Sequence, residues 1–444
     1  MARLFGTDGV RGIANRQLTP ELAFQLGKAA AAVLLEKKER ASVLLGKDPR
    51  ASGDLLEASL AAGFMSGGAD VISVGVVPTP AVAYLTKHLP VEAGAMISAS
   101  HNPVEDNGIK FFSHQGYKLP DATEDAIEQY INEAHSPDER PVGKHVGKWM
   151  RQPEAVEGYL SALLQSVGAC SLREKKIVLD CANGSASPFA ETIFRSLGAE
   201  VIALHATPNG ENINHQCGST HPETLKTAVV SYKADYGFAF DGDADRCLAV
   251  DEQGCLVDGD QIMTFLATQW KKQARLSQNT LVVTVMSNLG LRKAMDEHGI
   301  QLEITSVGDR YVLEAMLAKH YALGGEQSGH LIFSDYATTG DGMLTALQLS
   351  KLLQENDMKM SQAAAVMQRF PQVLHNVRVE NKSKSMQSEA FLEAIRQEEA
   401  ALGRKGRILV RPSGTEQLIR IMVEAEHETQ AKEIAERLSR YIVQ

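Results

Sequence analysis

Along most of the chain, short apolar runs alternate with stretches of helical length, and turn-forming residues separate the two. That rhythm predicts strands linked by helices, the signature of α/β architecture. The first cycle predicts strands over 43–46, 71–74 and 93–97 and helices over about 53–66, from about 81, and over 121–134. Thr19-Pro20-Glu21 opens an earlier helix, continued by 22–35, through its N-cap and first-turn residues. Residues 107–112 and 116–118 read as a hairpin, and the polar, Pro-bearing stretch 136–141 as a boundary region.

A second cycle follows a helix near 155–165: strand 176–180, helix 187–197, strand 200–204, helix 222–232 and strand 236–240. The third runs helix 259–272, strand 280–285, helix 289–298, strand 302–305 and helix 310–320. This predicts a three-fold architectural repeat without obvious sequence identity between units. After a helix near 341–354, Arg369-Phe370-Pro371 reads as a hinge. The remainder changes character: strand 373–379, helix 388–402, strands 407–411 and 418–424, and helix 428–442, a small α+β unit. The expected domains are 1–153, 154–255, 256–368 and 369–444.

At 444 residues the chain is too long for one ordinary core, and its 44% hydrophobic and 23% charged content is globular. The net charge of −10 argues against a general nucleic-acid surface but leaves room for a local positive pocket. The five cysteines are odd in number and form no C-x-x-C pair, so neither a disulfide framework nor a zinc site is suggested. The first six residues lack an apolar signal region and no apolar run reaches bilayer length, so the expected location is the reducing cytoplasm.

Four loops and the N-terminal turn carry candidate chemistry. In Ile97-Ser98-Ala99-Ser100-His101-Asn102-Pro103, Ser100 follows a buried strand and has His101 beside it. A serine there can accept and return a group if a base, a metal or a preformed charge activates it. Alone, the segment fits better a turn serine bonded to its own backbone, and the other motifs reverse that balance. In Phe5-Gly6-Thr7-Asp8-Gly9-Val10-Arg11-Gly12, glycines admit a ligand to the backbone and Arg11 offers a forked donor. Asp241-Gly242-Asp243-Ala244-Asp245-Arg246 is the strongest signal: three carboxylates on one tight loop call for a hard divalent cation. A calcium helix-loop-helix fails here, because Arg246 occupies the place of the required glycine and both flanks are strands. Gly324-Gly325-Glu326-Gln327-Ser328-Gly329-His330 offers Glu326 and Ser328 to sugar hydroxyls, and His330 for proton transfer. Arg411-Pro412-Ser413-Gly414-Thr415-Glu416, with Arg420 beyond, is a cradle for a dianion.

With these motifs in this order, the chain resembles the α-D-phosphohexomutases along its whole length. The position of the first motif near Met1, Ala99 and the overall length place the resemblance in the branch acting on glucosamine phosphate. The resemblance implies three similar mixed-sheet α/β/α domains and a smaller α+β C-terminal domain around a central cleft. It implies that Ser100 is carried as phosphoserine and completes a Mg²⁺ shell with Asp241, Asp243 and Asp245. Glucosamine 6-phosphate and glucosamine 1-phosphate would interconvert through glucosamine 1,6-bisphosphate, feeding the nucleotide sugar of cell-wall precursors. Arg11, Arg246 and Lys110 would offset the charge of the moving group, while Lys110, His101 and His330 are unranked as acid or base. Glu326 and Ser328 would clamp the sugar, and Arg411, Ser413, Gly414, Thr415 and Arg420 would hold the far phosphate. It also implies a phosphosugar as small-molecule substrate and a homodimer through the first domain, while charge and hydropathy lead to no expected nucleic-acid or membrane partner. Gln417 departs from the proline usual at that place. A phosphomannomutase/phosphoglucomutase shares every motif, and a non-catalytic phosphosugar sensor is the remoter alternative.

Overall fold

In the computed structural model, residues 3–6, 8–35, 41–133, 140–413 and 417–442 are described. Residues 136–139 of the expected boundary stretch, together with Thr7, Gly414 and Thr415, lie outside them. The strands are β1 (Val10–Ile13), β2 (Ser42–Lys47), β3 (Asp70–Val76), β4 (Ala93–Ile97), β5 (Asp106–Ser113), β6 (Trp149–Arg151), β7 (Lys176–Asp180), β8 (Glu200–Leu204) and β9 (Tyr236–Phe240). They continue with β10 (Cys247–Asp251), β11 (Leu256–Val257), β12 (Thr280–Thr284), β13 (Gln301–Thr305), β14 (Leu323–Gly325), β15 (Leu331–Phe333), β16 (Gln372–Arg378), β17 (Gly406–Pro412) and β18 (Leu418–Ala425).

Every residue of β4, β9 and β12 is buried. Their unbroken apolar character is that of inner strands covered on both faces by helices. Each lies in a sheet with a shared kernel, β5-β4-β2-β3, β10-β9-β7-β8 and β15-β14-β12-β13. In each kernel three strands run parallel and the fourth returns antiparallel. The repeat expected from the rhythm is therefore a repeat of strand order. The same connection in all three, from the outer parallel strand into its antiparallel neighbour, carries a candidate loop: the Ser100, Asp241 and Glu326 segments. Loops at the carboxyl ends of parallel strands are where open α/β sheets bind ligands.

Two expectations narrow. The hairpin over 107–112 and 116–118 is a short return on the end of β5, with the bridge Phe112↔Lys118 and the Ser113 N–H donating to the Tyr117 carbonyl (2.8 Å), while the rest of β5 inserts between β1 and β4. The helix expected over 187–197 contracts to Ala190–Ser196. Pro188 lies in the lost turn, and the segment before it is pressed on the Asp241 loop, where the Ser185 N–H donates to the Gly242 carbonyl (2.8 Å) and a Cβ on Gly184 would lie 2.5 Å from that oxygen.

One apolar core runs through the first three domains, and a second fills the other face of the first sheet. The C-terminal sheet, β16-β18-β17, is antiparallel and has its own core beneath helices Glu389–Leu402 and Glu428–Ser439. It docks on the third domain through polar groups. The buried Glu424 carboxylate accepts from Arg407 Nε (2.6 Å), the Leu289 N–H (2.9 Å) and Asn288 Nδ2 (3.2 Å). Asn288 also brackets Phe370, accepting its N–H (3.0 Å) and donating to its carbonyl (2.9 Å), so the chain crosses between domains from an anchored point. Among the described residues no helix is long and apolar enough to cross a membrane.

Candidate active site

Ser100 follows β4 and takes a left-handed backbone (φ 53°), a conformation that costs a residue with a Cβ about 1–3 kcal/mol. The twist carries the hydroxyl across the domain boundary, where Oγ donates to Asp241 Oδ2 at 2.6 Å. His101 Nδ1 lies 3.3 Å from the same Oγ. Burial, then the charges of Arg246 and Arg11, pull the His101 pKa down to about 4, so its ring is neutral at physiological pH.

The three aspartates, all buried, follow β9 and converge, with one oxygen from each within 4.8 Å of the others. Cations surround them. Lys110, buried on β5, donates to Asp243 (2.9 Å) and lies 3.2 Å from Asp8 and 4.0 Å from Asp245. Burial opposes charge on Lys110, but Asp243, Asp8 and Asp245 outweigh it and raise its pKa, so it stays an ammonium. Arg246 Nε lies 3.7 Å from Asp245 and 4.0 Å from Asp241, and Arg11 pairs with Asp8. Thr79, from the first domain, donates to Asp243 (2.6 Å). Burial first, then the neighbouring carboxylates, push the Asp241 pKa well up. Asp245 moves the other way, because His330, Lys110 and Arg246 outweigh its burial.

Even so, Asp243 Oδ1 and Asp245 Oδ1 are buried without a hydrogen-bond partner, as are Arg11 Nε and Arg246 Nε. Buried polar atoms are normally paired. Orphan carboxylate oxygens beside orphan guanidinium donors fit a site that takes a hard cation on one side and an anion on the other.

Glu326 and Ser328 stand half-buried on the β14–β15 loop, with Ser328 Oγ 3.5 Å from Glu326 Oε2 while Glu326 Oε1 accepts the Gly308 N–H. His330 is buried between Asp245 (Nδ1, 3.5 Å) and Asp309 (Nε2, 3.6 Å). Burial opposes its protonation, but Asp245 and Asp309 raise its pKa, and its Nε2 accepts the Gly340 N–H (3.1 Å). Both ring nitrogens are thus engaged. In the fourth domain Arg411 and Arg420 stand opposite each other across β17 and β18, with Arg420 Nη2 3.5 Å from Ser413 Oγ. Burial and the adjacent Arg420 lower the Arg411 pKa. Gln417 occupies the turn with its carbonyl accepting the Val379 N–H (3.1 Å).

Sequence reasoning passed over several residues that hold this site. Asp8 gathers Lys110, Arg11 and Lys118, and Lys118 ties it to Asp309 of the third domain (2.6 Å). Lys382 Nζ donates to the Ser413 carbonyl (2.7 Å). Asn214 Nδ2 donates to the Ser100 carbonyl (2.9 Å). Asp48 and Arg50 grip the Ser100 loop; their signal was position, since they follow β2, the parallel neighbour of β4. A separate Asp180, His205 and Cys217 cluster lies outside the site. There the Asp180 carboxylate already accepts the N–H groups of Ala182 and Gly218 (3.0 Å each).

The chain matches, domain by domain, the phosphoglucomutase/phosphomannomutase alpha/beta/alpha domains I (residues 2–138), II (157–254) and III (258–370) and the C-terminal domain (374–440). It belongs to that family. Within it the chain is 53% identical over 446 residues to a protein of Caldicellulosiruptor saccharolyticus named phosphoglucosamine mutase, covering 100% of this chain and 99% of that one. It is 54% identical over 438 residues to one of the same name from Carboxydothermus hydrogenoformans, covering 99% and 98%. The fold of this family member is also that of a phosphoglucomutase/phosphomannomutase family protein from Burkholderia thailandensis, with a TM-score of 0.82 at 23% identity over 99% of this chain and 96% of that one. A further match is an N-acetylphosphoglucosamine mutase of Aspergillus fumigatus solved with GlcNAc-6P and magnesium, with a TM-score of 0.72 at 18% identity over 99% of this chain and 95% of that one.

Proposed function

We propose that this phosphohexomutase, an isomerase by family, interconverts glucosamine 6-phosphate and glucosamine 1-phosphate. The observation that carries the reading is the Ser100 hydroxyl, 2.6 Å from a carboxylate of a three-aspartate loop flanked by Lys110 and Arg246, with Arg11 on Asp8, which Lys110 also approaches. The identity of just over half the chain to proteins named phosphoglucosamine mutase supports the amino-sugar substrate.

Asp241, Asp243 and Asp245, with Ser100, would hold Mg²⁺, which supplies charge neutralisation at the phosphoryl group. The remaining work falls to the chain. Phosphoryl transfer needs positioning and charge compensation more than covalent help. Ser100 carries the phosphoryl group; a sugar hydroxyl gives up its proton as it attacks phosphorus, its O–P bond forms, the Oγ–P bond breaks, and the freed Oγ regains a proton. Lys110, Arg11 and Arg246 face the charge that builds on the equatorial oxygens. Neutral His101 is the proton relay nearest Oγ, and permanently charged Lys110 serves as donor and electrostatic partner. The half-buried Glu326 and Ser328 accept and donate to sugar hydroxyls. Arg411, Ser413 and Arg420, with Gly414 and Thr415, bind the phosphate that is not reacting. The bisphosphate then turns end over end and returns its other phosphate to Ser100.

The test is a coupled mutase assay on glucosamine, N-acetylglucosamine, glucose and mannose 6-phosphates with Mg²⁺ and a trace of bisphosphate. Expected are preference for glucosamine 6-phosphate, loss on chelation with recovery on adding Mg²⁺, and a fall of at least about 10³-fold in Ser100→Ala. Preference for mannose or glucose 6-phosphate would transfer the chain to the sister activity. Turnover of none would leave a phosphosugar sensor.

A further inference from the structure

A serine stays in the left-handed region only where its surroundings over-determine the backbone. Around Ser100 those surroundings trace back to one residue, Arg50, whose guanidinium is buried and touches no group that reacts. Nη2 donates to the carbonyls of Ser100 (3.0 Å) and Asn102 (2.8 Å). Nη1 donates to those of Pro103 and Asp106, the latter at 3.1 Å. Four carbonyls of one loop thus converge on a single planar fork. The last donor, Nε, goes to Asp48 Oδ2 (2.9 Å), fully buried at the end of β2. That same oxygen accepts from Ser98 Oγ (2.5 Å), and Ser98 Oγ accepts the N–H of Ser100 (2.9 Å).

The connections close on themselves. They leave Ser100 by its carbonyl, pass through Arg50, Asp48 and Ser98, and return to Ser100 by its N–H. Both peptide groups flanking the Ser100 Cα are held, so φ and ψ cannot relax without breaking a buried hydrogen bond, charge-assisted on the carbonyl side. Asn214 of the second domain reaches the same two carbonyls that Nη2 holds, at 2.9 and 3.1 Å. The loop is therefore fixed from both sides of the boundary that the Ser100 hydroxyl crosses to meet Asp241.

We propose that Arg50 and Asp48 are positioning residues for phosphoryl transfer, holding the Ser100 loop in the left-handed geometry that aims Oγ into the aspartate loop. This rests on the reading of Ser100 as the phosphoryl carrier. Lysine cannot replace Arg50, because a point ammonium with three donors cannot span four carbonyls and a carboxylate. Asp48 fixes the fork in plane, and its partner Ser98 carries the constraint to the Ser100 amide.

The experiment compares full-length wild type, Arg50→Lys and the milder Ser98→Ala, which leaves the Asp48–Arg50 pair intact. Hydrogen exchange is read over residues 98–106 and over the rest of the first domain. kcat and KM for glucosamine 6-phosphate are measured with bisphosphate, normalised to the fraction of enzyme that accepts a phosphoryl group as read by intact mass. Expected for Arg50→Lys are faster exchange confined to 98–106 and a fall of about 10²-fold in normalised kcat, the scale of a misplacement near 1 Å. KM stays within about threefold, since ground-state binding is untouched. Ser98→Ala shows the same pattern, smaller. A purely structural Arg50 would lower the active fraction and leave normalised kcat at the wild-type value, and that result overturns the proposal. So does unchanged exchange over 98–106. A wild type inert on every phosphosugar would instead sink the functional reading, and positioning for transfer with it, while the exchange data still decide whether Arg50 holds the loop.

Discussion

The C-terminal domain has its own core, so its attachment to the third domain rests on few groups and can be broken selectively. Glu424 and Arg407 face each other across β18 and β17, and both reach into the third domain. Arg407 donates to the carbonyls of Val285 (2.9 Å) and Ser287 (2.7 Å), while Glu424 takes Asn288 and the first N–H of the helix Leu289–Glu297. At 2.6 Å and an effective dielectric near 20, the Arg407–Glu424 attraction is about 6 kcal/mol gross. Desolvation cancels part of this, and the other donors on Glu424, from Asn288, the Leu289 N–H and Gln372 Nε2 (3.3 Å), remain when Arg407 is removed. The net coupling works out at about 3 kcal/mol, within the range for desolvated pairs. Glu424→Gln, Arg407→Met and the double variant form the cycle. Because a four-domain chain does not unfold in two states, global melting is the wrong readout. Hydrogen exchange over 285–291 reports opening of this interface directly. The single variants should speed exchange there while the core of the C-terminal domain keeps its protection. Small-angle scattering should show a larger radius of gyration, and KM should rise as the open form gains population. Additive effects, with coupling below about 0.5 kcal/mol, would refute the reasoning, because independent contacts add.

Two further outcomes follow from burial. Asp341 caps the helix Gly342–Glu355, accepting from the Leu344 N–H and the Tyr159 hydroxyl (2.9 Å each), yet burial raises its carboxyl from 3.8 to about 6. The folded state therefore binds that proton more tightly, a contribution of about 3 kcal/mol that is complete below 3.8 and lost as pH rises through 6. Asp341→Asn removes it, so the local stability of the helix Gly342–Glu355 in the variant relative to wild type should rise by that amount between pH 4 and 7; a pH-independent difference in hydrogen-exchange protection of that helix, corrected for the intrinsic rate, would contradict this. Helices Pro20–Leu34 and Ser52–Ser66 touch backbone to backbone at Gly27 and Gly63, where a Cβ would lie 2.2 Å from the Leu60 oxygen and 2.1 Å from the Phe24 oxygen. Gly63→Ala should destabilise the first domain by about 1–3 kcal/mol, read from urea unfolding followed by the fluorescence of Trp149, and an unchanged midpoint would disprove the contact argument.

Sequence alone determined the local chemistry and the local structure. Continuous apolar runs such as 93–97 and 236–240 declare inner strands because neither face of such a strand meets water. The three carboxylates at 241–245 mark a place that could hold a cation, because the single Arg246 of that loop cannot offset all three. The residues that brace the site from other segments were illegible, each ordinary in its own stretch. Arg50 is one of many arginines until β2 lies beside β4, and Lys118 gains meaning only where Asp8 and Asp309, far apart in the chain, meet on it. The helix expected over 187–197 lost its first turn for the same reason, since the Asp241 loop claims the backbone of the residues before it. Periodicity and residue type report what a segment can do within about a helical turn. The repeated strand order, the left-handed Ser100, and which charges share a buried volume depend on contacts across the sheets and between domains, and those the tertiary structure alone decided.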